Sequence, residues 1–186
     1  MPPTLLDELR AAAQGCLKLV VGDRRAADYF DFSLRGLVGS FIASLVGTTL
    51  GALLPFILGL TAGTGSLSQP ILANIFMYAI QIGASALVLR QIGRLDGLIP
   101  YVVADNWMTF FVTLAVSLLT LMGVGGEPII LMTGILVLVV EINIARLIVT
   151  LTPWQIAAFI GAQLVSVMLA VLVIGAMMPV PTDLPV

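Results

Sequence analysis

Glu141 stands inside an apolar stretch, 129–151, with Asn143 and Arg146 close behind it. A carboxyl group at membrane depth is suited to binding a proton or a small cation, and amides or hydroxyls on neighbouring helices would complete such a site. At 1.5 Å of rise per residue, Glu141 is expected about 15 Å from either end of its stretch, close to the bilayer midplane. An ionised side chain there costs about 2.5 to 3.5 kcal/mol, whereas the Ile, Leu and Val residues around it return about 4 to 8 kcal/mol, so the segment still inserts. Arg146 lies about 140° around the helix from Glu141, so the acid must find its partners on other helices. Counting depth from the cytoplasmic ends nominates Gln81, Gln163 and Ser44 or Thr48, and Thr109, Thr113 and Ser117 add a hydroxyl stripe in steps of four. The expected intramembrane polar layer is therefore Glu141, Gln81, Gln163, Thr48 and Thr113. Asp105 has two readings. As a helix N-cap beside an interfacial Trp107, the preferred one, it marks the start of a span; otherwise it is an intramembrane acid. Either way Asp105 and Arg146 are expected near the cytoplasmic boundary, as a rim pair.

The elements that must carry these residues follow from composition. The chain has 186 residues, 60% hydrophobic and 10% charged, against about 25% charged in a typical soluble domain. With a mean hydropathy of +1.14, it belongs in lipid. Five apolar stretches of spanning length occur at about 36–60, 70–89, 98–122, 129–151 and 154–178. The expected fold class is all-α, a polytopic membrane bundle of five transmembrane helices joined as sequential up-down hairpins, with an N-terminal amphipathic cytoplasmic helix. The domains are a cytoplasmic or interfacial segment 1–34, a transmembrane domain 35–178 and an extracytoplasmic tail 179–186. Within the first segment, Leu5, Leu9, Ala12, Cys16 and Val20 recur at helical spacing, and Thr4 with Asp7 is an N-cap signal. That helix either lies on the membrane surface or packs on the cytoplasmic ends of the spans. The first span carries Ala43, Gly47, Gly51, Pro55 and Gly59 in steps of four, and the fifth carries Ala158, Ala162, Ser166 and Ala170. Such small-residue faces let helices approach closely. The linker Thr61 to Gln69 is small and uncharged.

All eight basic residues, Arg10, Lys18, Arg24, Arg25, Arg35, Arg90, Arg94 and Arg146, fall on one side of a five-span arrangement. The excess of positive charge on cytoplasmic loops then places the N-terminus in the cytoplasm and the C-terminus across the membrane.

The strings Phe30-Asp31-Phe32-Ser33-Leu34-Arg35-Gly36, Ser40-Phe41 and Tyr101-Val102-Val103-Ala104-Asp105-Asn106-Trp107 resemble an uncharacterised family of small bacterial inner-membrane proteins with five spans. Members of that family look distantly like the Yip-type five-span proteins of vesicle trafficking and membrane organisation. The Asp-Leu-Tyr-Gly-Pro string of the Yip type is absent from this chain. The resemblance implies a five-span topology, a bacterial inner-membrane location and a non-enzymatic role.

With no histidine and a single cysteine, imidazole catalysis, Cys/His zinc sites and an intrachain disulfide are excluded. No catalytic residue, metal site or cofactor is expected, and no motif spacing points to an enzyme. Two functional classes stand. The leading one is a structural, assembly or membrane-organising protein that packs through Ala43, Gly47, Gly51, Ala158, Ala162 and Ser166. The alternative is a small transporter or channel subunit that couples protons or cations through Glu141. The expected partners are the lipid bilayer and either a second copy or another membrane protein, with no nucleic acid.

Overall fold

The computed structural model describes residues 4–59 and 68–177, and their regular structure is entirely helical. Helix α1 spans Leu5–Val21, α2 Leu34–Ile57, α3 Ser68–Gln91, α4 Leu98–Leu121, α5 Glu127–Asn143 and α6 Pro153–Met177. A 3-10 turn, Arg24–Tyr29, joins α1 to α2, and α5 runs on through a π turn, Ile144–Ile148. Helices α2 to α6 are each long and apolar enough to cross a membrane, so the chain is a multi-pass membrane protein. The linker as far as residue 67 and the tail 179–186 lie outside the described residues.

Local signals set the helix starts. Thr4 Oγ1 accepts from the Asp7 amide at 3.3 Å, while the Thr4 amide donates to Asp7 Oδ2 at 3.0 Å, a reciprocal capping box. At α6 the Thr152 amide donates to Gln155 Oε1 at 3.0 Å, and Pro153 occupies the first helical position, where a missing N–H costs least.

Sequential helices are not the closest neighbours. Instead α2 packs along α4 and α3 along α6. The α2–α4 contact is parallel: Ser40 faces Asn106, Gly47 faces Phe110 and Gly51 faces Thr113. A Cβ on Gly47 would stand 3.1 Å from Phe110 Cα, and one on Gly51 would stand 2.7 Å from Thr113 Cγ2. The small-residue face of the first span is thus spent inside the chain, where it lets two backbones close up without a connecting hairpin.

The turn between α5 and α6 is held from outside. Thr150 has φ +59°, a left-handed backbone that strains a β-branched residue. Arg94, in the turn before α4, clamps it: Nη2 donates to Val149 O at 2.6 Å and to Thr150 Oγ1 at 2.9 Å, and Nη1 donates to Thr150 O at 3.1 Å. A planar guanidinium suits such forked contact, and its charge meets the carbonyl-rich end of a helix. Arg146 Nη2 likewise approaches Gly22 at the end of α1. All eight basic residues therefore gather at one end of the bundle, with α1.

Two outcomes follow from this packing. Arg94→Ala should lower unfolding stability by about 1 to 3 kcal/mol, because it leaves carbonyls of a strained turn unpaired, and Arg94→Lys should recover less than half. The midpoint of thermal unfolding in detergent measures both. Burial pushes the Cys16 thiol up to about 12, so at pH 8 almost no thiolate exists in the folded chain. Alkylation at pH 8 should therefore be negligible in the native protein and fast once sodium dodecyl sulfate unfolds it.

Candidate functional site

The site lies where α4 meets α3, α5 and α6. Helix α4 supplies Tyr101, Asp105 and Asn106, and the first two share a face because they are one helical turn apart. The buried Asn106 is fully engaged: its Nδ2 donates to Ser40 Oγ at 3.1 Å, and its Oδ1 accepts from Tyr78 OH at 2.8 Å. This set ties α2, α3 and α4 together. A second set begins at Gln163 Oε1, which accepts from Tyr101 OH at 3.2 Å and from Gln81 Nε2 at 3.5 Å. Tyr101 and Gln163 also stand within interaction range of Glu141. The carboxyl groups of Asp105 and Glu141 face each other within hydrogen-bonding reach.

Glu141 is 8% exposed and Gln163 6%, and among the described residues both keep one polar atom without a hydrogen-bond partner: Glu141 Oε2 and Gln163 Nε2. Buried polar atoms of this kind are rare in native proteins and mark places where a proton, a water or an ion is accommodated. The pair also opens onto space. A cleft of about 210 Å³ between α4 and α5 is lined by Asp105, Thr109, Thr113, Val137, Val140 and Glu141, among others. It runs from the two acids along the hydroxyl stripe of α4, away from the basic end of the bundle.

Asp105 is thus not an N-cap. Helix α4 begins at Leu98, so Asp105 lies in its third turn, facing α5. It meets Glu141 rather than Arg146; no ion pair joins Asp105 to Arg146 among the described residues, and Arg146 points toward the end of α1. The depth of Glu141 also differs from the midplane expectation. The helix carrying it runs from Glu127 to Ile148, which leaves Glu141 about 10 Å from the basic end and about 21 Å from the other. The offset arises because the span begins two residues earlier than expected and ends three residues earlier, widening beyond Asn143 into a π turn whose Val149 amide donates to Ile144 O at 3.0 Å. A π turn close to a polar site is a recurring feature of functional helices.

Of the expected layer, Gln81, Gln163 and Glu141 come together, and Thr113 lines the acid cleft. Thr48 does not join them; its hydroxyl donates to Ser44 O of its own helix at 2.8 Å, and it borders a separate groove between α2 and α3. Ala43 and its neighbours on α2 face α4, whereas Ala158 is exposed and Ala162 and Ser166 are half-buried. Tyr101, Asn106, Tyr78 and Ser40 were missed. The four-residue step from Tyr101 to Asp105, with Asn106 beside it, is the signal the sequence carries, and a cap reading of Asp105 hides it.

Asn143 serves another purpose: its Nδ2 donates to Leu19 O at 2.8 Å, a second bond on a carbonyl that also accepts from the Gly22 amide at 3.1 Å, and so ties the C-terminal turn of α1 to α5. Asn143→Ala should cost about 1 kcal/mol, and Asn143→Asp no less, since a carboxylate cannot donate to that carbonyl. Faster amide hydrogen exchange in the last turn of α1, with α4 unchanged, is the expected signature.

Compared with protein-family models, curated proteins and solved structures, the chain has no match.

Proposed function

We propose that this multi-pass membrane protein is a small, non-enzymatic transporter or channel subunit that binds a proton at the Asp105–Glu141 pair. The observation that supports this is the meeting of two carboxyl groups from neighbouring spans, Glu141 buried and Asp105 half-buried at the cleft, with no basic side chain paired to either among the described residues. Two carboxylates in contact in such surroundings repel strongly, so the pair holds a shared proton in preference to two charges. Tyr101 and Gln163 hold the Glu141 side of the pair, and the cleft beside it carries the hydroxyls of Thr109 and Thr113 among the apolar side chains Met108, Val112, Val137 and Val140. Under the positive-inside rule the basic end is cytoplasmic, with the N-terminus on that side and the C-terminus outside a bacterial inner membrane. The cleft then leads outward, and α1 lies on the cytoplasmic side of the pair.

The test is proton flux into proteoliposomes carrying a trapped pH dye under an imposed pH gradient. Wild type should dissipate the gradient, and Glu141→Gln or Asp105→Asn should each fall to the rate of empty vesicles while eluting as monodisperse protein. A wild-type rate equal to that of empty vesicles, for protons and for sodium and potassium alike, removes this function.

A second reading, assembly or membrane organisation, has its own observation. Gly83, Gly134 and Gly161 lie on exposed faces of three spans with open space where a Cβ would be, so these surfaces can receive a helix from another chain. If this role holds, Glu141→Gln keeps oligomeric state and phenotype, whereas Gly161→Leu changes the oligomer in cross-linking.

A further inference from the structure

Helix α1 has two apolar faces, and only one is used by the bundle. Ala12, Cys16 and Leu19 are buried, against α4 and α5, and the ring of Phe30 covers Gly15 on the adjoining side. On the far side Leu6, Leu17 and Val21 are 64%, 69% and 78% exposed. At 100° per residue these three fall within about 60° of one another, so they form one stripe, with exposed Arg10 set inside it.

The level of α1 decides what that stripe meets. Near its start, Glu8 abuts α2 at Gly39, where a Cβ would stand 2.6 Å from Glu8 Oε1. Near its end, Leu19 O accepts from Asn143. Gly39 lies about 8 Å inside the Leu34 end of its span, and Asn143 lies about 8 Å inside the Ile148 end of its own. Both ends of α1 are therefore at the same height, alongside the bundle and not below it. A helix held at that level, parallel to the membrane plane, has its outward face in the boundary between headgroups and acyl chains. Charge acts here locally: Arg10 is exposed within the stripe, whereas over residues 4–31 the four basic residues Arg10, Lys18, Arg24 and Arg25 stand beside five acids, Asp7, Glu8, Asp23, Asp28 and Asp31. At that level the Arg10 guanidinium can reach the phosphate oxygens of the headgroups.

We propose that the outward stripe of α1, Leu6, Leu17 and Val21 with Arg10, seats in the anionic headgroup layer of the membrane that the bundle spans. α1 is then a wedge between protein and lipid, with one face fixed to α4 and α5 and the other solvated by the bilayer. Its hold on Asn143 makes lipid composition a condition felt two residues from Glu141.

A nitroxide at Leu17→Cys tests this, in full-length protein carrying Cys16→Ala and reconstituted into vesicles of phosphatidylcholine and phosphatidylglycerol. Collision with oxygen and with a water-soluble nickel chelate reads its depth. The label should lie about 5 to 10 Å below the phosphates, while one at the exposed Asp28→Cys should stay open to nickel. A label at Leu6→Cys should give the same depth as that at Leu17→Cys, which guards against a local disturbance from either substitution. Free access of nickel at both α1 positions overturns the proposal. Shielding from oxygen and nickel alike overturns it too, because a protein or a second copy of the chain then covers the stripe.

Discussion

In hydrocarbon no water stands ready to satisfy a polar side chain, so each one buried here has to meet another helix or bond to its own backbone. That constraint explains the arrangement better than apolar packing does. Leucine and valine find as good an environment in lipid as against a neighbouring span, and they fix no register. Ser40, Tyr78 and Asn106 do fix one, since their two hydrogen bonds hold α2, α3 and α4 at a single relative height. Tyr101, Gln81 and Gln163 do the same for α3, α4 and α6. Helix α4 belongs to both sets, which makes it the helix around which the others are placed.

Against that background the Asp105–Glu141 pair is of a different kind. The Asn106 set is closed, with its amide donor and acceptor both engaged, and it can be understood as pure structure. The acid pair is left open: Glu141 Oε2 and Gln163 Nε2 have no hydrogen-bond partner among the described residues, and a cleft adjoins the acids. A structural role alone would be served as well by one carboxyl and an amide. Two carboxyls brought this close repel each other when both are charged, a conflict that a carboxyl and an amide would not have.

Much of the architecture was legible in the sequence. Composition and the length of the apolar stretches gave five spans, and the Thr4 and Asp7 cap signal marked a helix start that the hydrogen bonds bear out. Gln81, Gln163 and Glu141 were matched by depth alone. What could not be read was lateral order. Hairpin logic pairs neighbours in the chain, but the choice of α2 for α4 depends on shape, on a glycine face fitting around Phe110 and Thr113. The misplacement of Asp105 had the same root: a stretch longer than the bilayer needs has no mark in its sequence for where the helix enters, so a carboxyl near its start looks like a cap. Likewise the stripe Leu6, Leu17 and Val21 on α1 was overlooked because Leu5, Leu9, Ala12, Cys16 and Val20 already formed a convincing apolar face, and a helix with two such faces has one that periodicity does not ask for.

The two ends of the bundle differ in a way that bears on mechanism. Apart from Ala170 far along α6, the fully buried apolar side chains among the described residues, Leu89, Tyr101, Val103, Val140, Ile144, Val149 and Phe159 included, lie toward the basic end, where α1, Arg94 and the π turn also sit. Toward the other end Leu50, Leu118, Leu121, Ile130, Leu131 and Met132 are exposed, and α5 departs from its neighbours. Regions with few buried contacts open more readily than those with many. Rearrangement around the acid pair is therefore easier on the side from which the threonine-lined cleft reaches it, and harder on the side where α1 is tied to Asn143. A site rigid on one flank and compliant on the other is asymmetric by construction, and that asymmetry is what a protein needs if it is to admit a proton from one direction before releasing it in the other.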